Sequence, residues 1–384
     1  MNEKTTERVR RSFQQDEAVP PVVTSIAPGR VNLIGDHVDY TGGLVMPIAI
    51  DRNTAVAIGP HAGDSEMIVD FLDLEGRSGL VVESSQEMDG TDLDYIRGPL
   101  IQLHEAGLRI PPLRLTVSST VPMGAGLSSS AALQVAVLLG IRTYLDKPVS
   151  PLEVALEAQR SEHTIGTPCG LMDMYVSAAA RNGHACLIDC GSNDLEQVPL
   201  PPESEAVFII SDTKVRHDLR DGGYAKRRSE CEQAAERMGY ALLSQASLEQ
   251  LEAAALPENL HQRARHVLSE NLRVRTFSDA LKQGDLKRAG QAMFESHHSL
   301  RDDFDVSCKE LDLIVEIAET MSGAGIYGSR MTGGGFGGST ITMCRPEAEP
   351  EFRKRVAEAF AARFDHQPDS IRTSAADGAL VITI

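Results

Sequence analysis

One short segment constrains the fold of this chain more than any other: residues 121–132 read VPMGAGLSSSAA. The residues from Leu113 onward alternate apolar and polar side chains as a half-buried strand does, and Ala131 to Leu139 are typical of a helix. A strand therefore turns through glycines into a helix whose first turn carries hydroxyls. Glycine lets backbone N–H groups approach a ligand, and a helix N-terminus adds free donors and partial positive charge. The segment is suited to bind phosphate, although a serine turn that only caps the helix is the alternative.

The familiar phosphate-binding patterns do not fit this segment. A Walker A loop requires a lysine, and none follows Gly126. The dinucleotide fingerprint requires a third glycine, where this chain has Ser129. The motif set of protein kinases is also missing from the sequence. What remains is a serine-rich phosphate loop without a lysine, in which hydroxyls would do the work that lysine does elsewhere.

Length, charge and cysteine pattern narrow the class of protein. A chain of 384 residues predicts two domains. Its net charge of −18 argues against binding to nucleic acid or to an anionic membrane. No apolar run reaches the roughly 18 residues of a membrane span, and the charged N-terminus does not resemble a secretory signal. The 6 cysteines form no Cys-x-x-Cys pair, which favours free thiols and a cytoplasmic protein.

Strand-like and helical segments mix in both halves of the chain, which predicts two α+β domains. A polar, proline-containing stretch over residues 191–205 is the candidate boundary, so we place the domains at residues 1–195 and 196–384. Residues 1–20 are predicted to form a solvated helix, and Val22 to Ile26 a strand. We expect a monomer.

Two further polar segments are bounded by glycines. The first, residues 27–40, concentrates groups suited to a polyhydroxylated ligand, with a solvated turn as the alternative: Arg30, Asp36, His37 and Asp39. The second, residues 331–340, reads MTGGGFGGST and leaves the backbone bare. A tight turn or a flexible linker would explain it, but the apolar residues that follow directly, Ile341 and Met343, argue against a linker.

Together the three segments resemble the motifs of a superfamily of small-molecule kinases, comprising the galactokinase, homoserine kinase, mevalonate kinase and phosphomevalonate kinase (GHMP) families. The motifs occur in the same order, and the central one is the lysine-free Pro-x-Gly-x-Gly-Leu-Ser-Ser-Ser loop. Residues 29–40, GRVNLIGDHVDY, are similar to the galactokinase signature. The resemblance implies a two-domain GHMP-kinase fold with the active site in the cleft between the domains. It also implies transfer of the γ-phosphoryl group of ATP to the anomeric C1 hydroxyl of D-galactose, giving galactose 1-phosphate and ADP.

The resemblance assigns roles to individual residues. Arg30 and Asp173 would be the catalytic pair, with Asp173 beside the C1 hydroxyl as a base or an orienting acceptor. The sugar would be bound by Asp36, His37, Asp39, Gly170, Tyr224 and Gly334. The ATP phosphates would be held by Gly124, Ala125, Gly126, Leu127, Ser128, Ser129 and Ser130, and Mg²⁺ by Ser130 and Glu162. The alternatives are a charge that favours a helix N-terminus for Asp173 and a surface-helix position for Glu162.

The chain departs from the family pattern at three positions. Asp36 stands where the galactokinase signature usually has Glu, Met174 where Gln is usual, and Ser339 where Cys is common. The shorter acid leaves open a kinase for N-acetylgalactosamine or another galactose-like sugar. A different class, a sensor that binds sugar and ATP without catalysis, is disfavoured because the serines 128–130, Arg30 and Asp173 are all present.

Overall fold

The computed structural model describes residues 2–17, 20–61, 63, 66–75, 79–84, 86–167, 169–216 and 222–383. Strands appear in both halves of the chain, in this order: β1 (Val23–Asn32), β2 (Leu44–Val45), β3 (Pro47–Pro60), β4 (Met67–Phe71), β5 (Leu80–Val82), β6 (Leu113–Ser119), β7 (His184–Asp189), β8 (Asp194–Pro199), β9 (Val207–Asp212), β10 (Ile326–Thr332), β11 (Ser339–Cys344), β12 (Asp369–Thr373) and β13 (Leu380–Thr383).

Helices alternate with these strands and dominate the stretch between β9 and β10. They are α1 (Asn2–Glu17), α2 (Asp94–Glu105), α3 (Ser129–Tyr144), α4 (Pro151–Ile165), α5 (Met172–Ala179), α6 (Gly223–Met238), α7 (Leu248–Ala253), α8 (Glu258–Lys282), α9 (Leu286–Asp302), α10 (Lys309–Thr320) and α11 (Glu349–Arg363). The predicted mixture of helix and sheet in both halves is confirmed.

The largest sheet has the strand order β13–β1–β3–β6–β4–β5, and its pairs are antiparallel except for β4 with β6. Helix α3 packs closely on one face of this sheet: a Cβ added to Gly140 would lie 2.5 Å from Ile58 Cδ1. Helix α3 is mostly apolar and buried, as expected of a helix enclosed on several sides. Strand β6 leads into α3 through the glycine–serine segment, residues 124–130, which places that turn at the edge of the core.

Helix α1 covers the other face of the sheet. Its Val9 and Phe13, four residues apart, are fully buried against Ile26, Ala55 and Ala57. The expectation of a solvated helix over residues 1–20 was therefore wrong for one of its faces. Residues 1, 18 and 19 of that prediction lie outside the described residues.

The second sheet has the strand order β10–β11–β9–β12 and is wholly antiparallel. Side chains from α10 and α11, among them Ile314, Phe352 and Phe360, form a buried apolar cluster with Ile209 of β9. The glycine cluster, residues 333–338, joins β10 to its antiparallel partner β11. It is a hairpin connection, so the linker interpretation is wrong.

Strand β13 returns from the end of the described chain to the first sheet. It pairs with β1 through Val23 and Thr383, at the opposite edge from β5. The segment before it is also fixed to the first half, because Gly378 N donates to Ala180 O at 2.7 Å and Ala379 N to Ser177 O at 2.8 Å. The same segment therefore supports α5, the helix that carries Asp173.

The division between residues 195 and 196 stays a prediction. Strand β8 runs across that position and pairs with β7 in a small sheet with β2. Within the described ranges, no helix combines the length and the apolar character that a membrane crossing demands.

Candidate active site

Arg30 and Asp173 lie in contact. Arg30 belongs to β1, just after the register shift between Pro28 and Arg30, and Asp173 belongs to the first turn of α5. Arg30 Nε donates to Asp173 Oδ1 at 2.7 Å and Arg30 Nη2 to Oδ2 at 2.6 Å, a two-pronged pairing that fixes both groups. Arg30 is only 6% exposed. Its third nitrogen, Nη1, donates to the carbonyl of Gly126, which ties the pair to the glycine–serine segment.

Gly29, which has no side chain, lets β1 approach the glycine–serine segment closely. Arg30 N donates to Leu127 O at 3.1 Å. A Cβ added to Gly29 would lie 2.7 Å from the same carbonyl oxygen, closer than real Cβ atoms come. Gly29 is therefore required for the close approach of strand and loop.

The glycine–serine segment does not use its first serine as a helix cap. Ser128 precedes α3 with a φ of 57° and makes no capping hydrogen bond. Its hydroxyl instead donates to Asp173 Oδ2. The capping interpretation of this serine was therefore wrong, and the first-turn N–H groups of α3 stay without a side-chain cap from Ser128.

A cleft of about 710 Å³ opens in front of these residues. Gly124, Gly126 and Ser128 to Ser130 line it together with Arg30, Asp173 and the glycines of the β10–β11 hairpin. Phe71, Tyr95 and Leu133 are among its apolar lining side chains. A cavity of this volume, lined by glycine-rich backbone and by apolar side chains, has the size and chemistry of a small-ligand site.

Glu162 lies at the glycine–serine end of the cleft, next to Ser130. Its carboxylate accepts hydrogen bonds from Ser130 and, at 2.8 Å, from Gln134 Nε2. Burial raises the pKa of Glu162, the bonds from Ser130 and Gln134 oppose this, and the charge of Asp173 raises the pKa further. Glu162 is 3% exposed, so the surface-helix interpretation was wrong.

The Ser130 hydroxyl, which lines the cleft, and the Glu162 carboxylate next to it match the oxygen ligands that Mg²⁺ prefers. The described residues contain no cluster of three or more His, Cys, Asp or Glu side chains that could hold a metal alone. Ser130 and Glu162 therefore fit an ion that keeps several waters and shares phosphate oxygens.

Asp36 is almost completely enclosed by protein. Its Oδ1 accepts from Gly333 N at 2.9 Å, while Oδ2 accepts from Asn32 Nδ2 at 3.0 Å and pairs with Arg330 Nη1 at 2.5 Å. Burial raises the pKa of Asp36, and the neighbouring Arg330 charge opposes that shift. The carboxylate predicted to bind sugar thus joins β1 to the start of the β10–β11 hairpin.

His37 also has protein partners on both ring nitrogens. Tyr40 Oη lies 3.0 Å from Nδ1, and Nε2 lies 3.2 Å from the carbonyl oxygen of Gly334. Burial lowers the pKa of His37 to about 3, so the ring is neutral and its Nε2–H donates to Gly334. The rings of Phe304 and Tyr224 lie 4.8 and 5.3 Å from it, centroid to centroid.

Asp39 lies beside Gly170, at the other side of Asp173. A Cβ added to Gly170 would come 1.8 Å from Asp39 Oδ2, so glycine makes room for this carboxylate. Burial and the charge of Asp173 raise the pKa of Asp39 to about 7. The structure thus places predicted residues in three further contacts: Ser130 with Glu162, Asp36 with the hairpin residue Gly333, and Asp39 with Gly170. Their roles toward sugar, nucleotide and metal stay predictions.

Arg330, Asn32 and Glu270 were not singled out in the sequence, yet they organise the segment that carries Asp36. Glu270 of α8 accepts the backbone N–H of Gly35 at 2.9 Å. The only available signal was an arginine in a strand followed by the glycine cluster. No spacing rule links Glu270 to residues more than two hundred positions earlier.

Comparison with known proteins places this geometry in a family. The galactokinase galactose-binding signature matches residues 10–60, the N-terminal domain of GHMP kinases matches residues 94–181, and their C-terminal domain matches residues 277–362. The galactokinase of Roseiflexus sp. (strain RS-1) is 40% identical over 92% of this chain and 92% of its own length. The human galactokinase is 38% identical over 98% of this chain and 96% of its own length. The chain belongs to the galactokinase family.

Solved structures confirm the fold. The crystal structure of Lactococcus lactis galactokinase complexed with galactose matches with a TM-score of 0.92 and 26% identity, covering 97% of this chain and 99% of that one. The mevalonate kinase of Methanococcus jannaschii matches with a TM-score of 0.67 at 19% identity, over 92% of this chain and 98% of that one, which bears on the fold alone. The prediction of a two-domain GHMP-kinase fold from the three glycine-bounded motifs is confirmed.

Proposed function

We propose that the protein transfers the γ-phosphoryl group of ATP to the anomeric C1 hydroxyl of D-galactose, giving galactose 1-phosphate and ADP. The contact of Arg30 and Asp173 carries this proposal. Arg30 belongs to the segment that the galactose-binding signature matches and also contacts Gly126 of the segment suited to phosphate, in a chain similar to galactokinases over most of its length.

The geometry supports a division of labour in the reaction. The C1 hydroxyl of the sugar donates to Asp173, and its oxygen attacks the γ-phosphorus. The bond from that phosphorus to the βγ-bridging oxygen breaks, ADP leaves with the electron pair, and the hydroxyl proton passes to Asp173. Because the transition state of phosphoryl transfer is loose, positioning and charge stabilisation contribute most of the rate. Arg30 supplies a fixed positive charge beside the reacting groups.

The glycine–serine segment, residues 124–130, would hold the ATP phosphates. Its backbone donors and the N-terminal end of α3 offset the overall negative charge of the protein locally. The six unpaired cysteines are typical of a reducing compartment, so we infer a cytoplasmic enzyme, and we infer a monomer.

We infer that Ser130 and Glu162 hold Mg²⁺ through oxygen ligands, directly or through water. When bound, the ion would neutralise charge on the phosphates. Glu162→Gln removes the negative charge but keeps the bond to Gln134 within reach. We expect half-maximal activity to require a several-fold higher Mg²⁺ concentration than in the parent protein. We also expect the substitution to weaken the binding of MgADP more than the binding of free ADP. Unchanged Mg²⁺ dependence in both titrations would contradict the assignment.

The decisive experiment measures ADP release with a panel of sugars: galactose, N-acetylgalactosamine, glucose and talose. Mass spectrometry and phosphorus NMR then identify the phosphorylated position. We expect turnover with galactose and a product phosphorylated at C1. Neither alternative, a kinase for another galactose-like sugar or a silent sensor, is favoured by the comparisons. Turnover only with a different sugar, or binding of both ligands without product, would establish one of them instead.

A further inference from the structure

Arg330 is a completely buried cation outside the predicted site. It lies in β10, three residues before Gly333, and its side chain is 0% exposed. Nη1 pairs with Asp36 Oδ2 at 2.5 Å and lies 3.3 Å from Asn32 O, and Nε donates to Ser296 Oγ at 3.1 Å. A buried charge destabilises the fold unless well-placed partners compensate it, so the loss of any of these contacts is costly.

Asp36 connects Arg330 to residues that line the cleft. Its second oxygen, Oδ1, accepts the N–H of Gly333, and the carbonyl of the next residue, Gly334, accepts Nε2–H of His37. Gly333 and Gly334 both line the cleft in front of Asp173. A shift of the Asp36 carboxylate would therefore move the hairpin that faces the reacting groups.

Arg330 is itself fixed from the helical side. Ser296 Oγ accepts from Arg330 and donates to Glu270 Oε1 at 2.5 Å. Burial favours a raised pKa for Glu270, but Arg273, His266 and Arg330 together lower it to about 2, so this carboxylate is ionised. Glu270 also accepts a hydrogen bond from the backbone N–H of Gly35, one residue before Asp36. Helices α8 and α9 thus hold both ends of the Arg330–Asp36 pair.

We propose that Arg330 is a positioning residue for the sugar side of the cleft: it fixes the Asp36 carboxylate and, through it, Gly333 and Gly334. The inference rests on the proposed function, since it specifies how the sugar pocket keeps its shape. The described polar partners of Arg330 are Asp36, Asn32 and Ser296, and none of them belongs to the glycine–serine segment. We therefore expect its influence to fall mainly on the sugar side of the cleft.

Arg330→Met tests this, because methionine keeps much of the volume and removes every donor. We expect a fall in kcat/KM for galactose on the order of 100-fold, the effect of a misplaced binding wall, with KM for ATP near the parental value. Arg330→Lys keeps the charge but cannot reach Asp36, Asn32 and Ser296 together, so we expect an intermediate loss. Ser296→Ala removes one bond to Arg330 without changing any charge, and it keeps the test possible if Arg330→Met does not fold.

Arg142→Met is the matched control. Arg142 is likewise buried and pairs with Glu157, with Nε 2.7 Å from Oε2, but at the end of α3 away from the cleft. We expect it to lower the melting temperature and leave both KM values unchanged. If Arg330→Met or Ser296→Ala behaves like this control, Arg330 is only a stabilising residue and the proposal is overturned.

A double-mutant cycle tests whether Arg330 acts through Asp36. In an Asp36→Asn background, Arg330→Met should add little to the KM for galactose, whereas independent roles would give additive effects. Calorimetric titration of the parent protein with galactose separates this inference from the proposed function. Absent binding and turnover in the parent would reject the proposed function, and parental binding that none of the Arg330 variants weakens would reject the positioning role.

Discussion

At the residue scale, the side chains named from the motifs differ in what surrounds them. Arg30, Asp173 and Ser128 face the cleft and each other. Asp36 and His37 instead have protein partners on their polar side-chain atoms. The resemblance to the kinase family grouped these residues in one site, and the structure places them near one another, while their roles stay a prediction. The sequence could not report hydrogen-bond partners such as Arg330 that lie some three hundred residues away, and direct contact of Asp36 and His37 with sugar stays a prediction.

Asp173→Asn should lower kcat by about 100-fold or more while galactose binding persists, because the amide still fits between Arg30 and Ser128 but cannot take up the hydroxyl proton. Steady-state kinetics and calorimetry measure the two effects. Asp194→Asn, an exposed aspartate in β8, is the control and should retain parental activity. Parental turnover in Asp173→Asn would show that the carboxylate is dispensable.

Asp39 gives a prediction about pH. Its pKa is raised from 3.8 to about 7 in the folded protein. Between these values the folded state keeps a proton that the unfolded state has lost, so the stabilisation from this group is present at low pH and disappears as the pH rises towards 7. Asp39→Asn cannot titrate. Denaturant unfolding at several pH values should therefore show the parent losing stability relative to Asp39→Asn, by at most about 1.4 kcal/mol per pH unit.

The comparison with Asp39→Asn also isolates this group from its neighbours. Burial lowers the pKa of His37 to about 3, so His37 acts in the opposite direction, costing stability as the pH falls below its ordinary value. That contribution is common to both proteins and cancels in the difference. A difference in unfolding free energy that does not vary with pH would mean that Asp39 titrates near its ordinary value.

At the scale of single elements, helices were easier to predict than strands. The residues typical of a helix, Ala131 to Leu139, lie within α3. The first strand was predicted to end at Ile26, yet β1 continues to Asn32 through Pro28 and Gly29, with a register shift between Pro28 and Arg30. Proline and glycine ordinarily end a strand, so local rules place Arg30 in a loop. Only the pairing with β3 shows that Arg30 is held on the rigid sheet.

Strand β10 was missed for a related reason. Its sequence, IYGSRMT, contains a glycine and an arginine and lacks a clear alternation. It is nevertheless buried between β11 and helix α9, and Gly328 and Gly290 allow the two backbones to meet: a Cβ on Gly328 would lie 2.3 Å from Gly290 O. Such a close helix–strand contact is a tertiary property that a pattern within one segment does not contain.

Gly29→Ala should disturb the contact between β1 and the glycine–serine segment, because the new Cβ would lie 2.7 Å from Leu127 O. We expect a higher KM for ATP and a loss of about 1–3 kcal/mol in unfolding free energy, typical of overpacking. Gly323→Ala is the matched control, since nothing lies within 4 Å of its added Cβ. Equal kinetics for the two variants would show that the loop adapts without cost.

At the scale of the whole molecule, the mixed architecture followed from the strand-like and helical segments in both halves, and the expectation of a cleft followed from the resemblance to the GHMP kinases. The sequence did not show that residues after 375 rejoin the first half. That connection depends on β13 pairing with β1 and on backbone bonds to α5, both of which link positions far apart in the chain.

Gly378→Ala tests whether this return path supports the active site. An added Cβ would lie 2.7 Å from Ala180 N and 2.9 Å from Ala178 O, at the end of the helix that carries Asp173. We expect a lower melting temperature, with about 1–3 kcal/mol lost, and a fall in kcat. Thermal unfolding and steady-state assays measure both, again with Gly323→Ala as the reference. A stable variant with parental kcat would mean that α5 is fixed independently of this segment.

The pairing of β1 with β13 has a consequence for biosynthesis. Residues 23–26 leave the ribosome early, whereas their partners, residues 380–383, are translated only after the β10–β11 hairpin and all the helices described here. Until then the nascent chain exposes the unpaired edge of β1, the strand that presents Arg30. A polypeptide truncated before residue 380 would therefore have an open sheet edge, which makes it a substrate for chaperones and proteases.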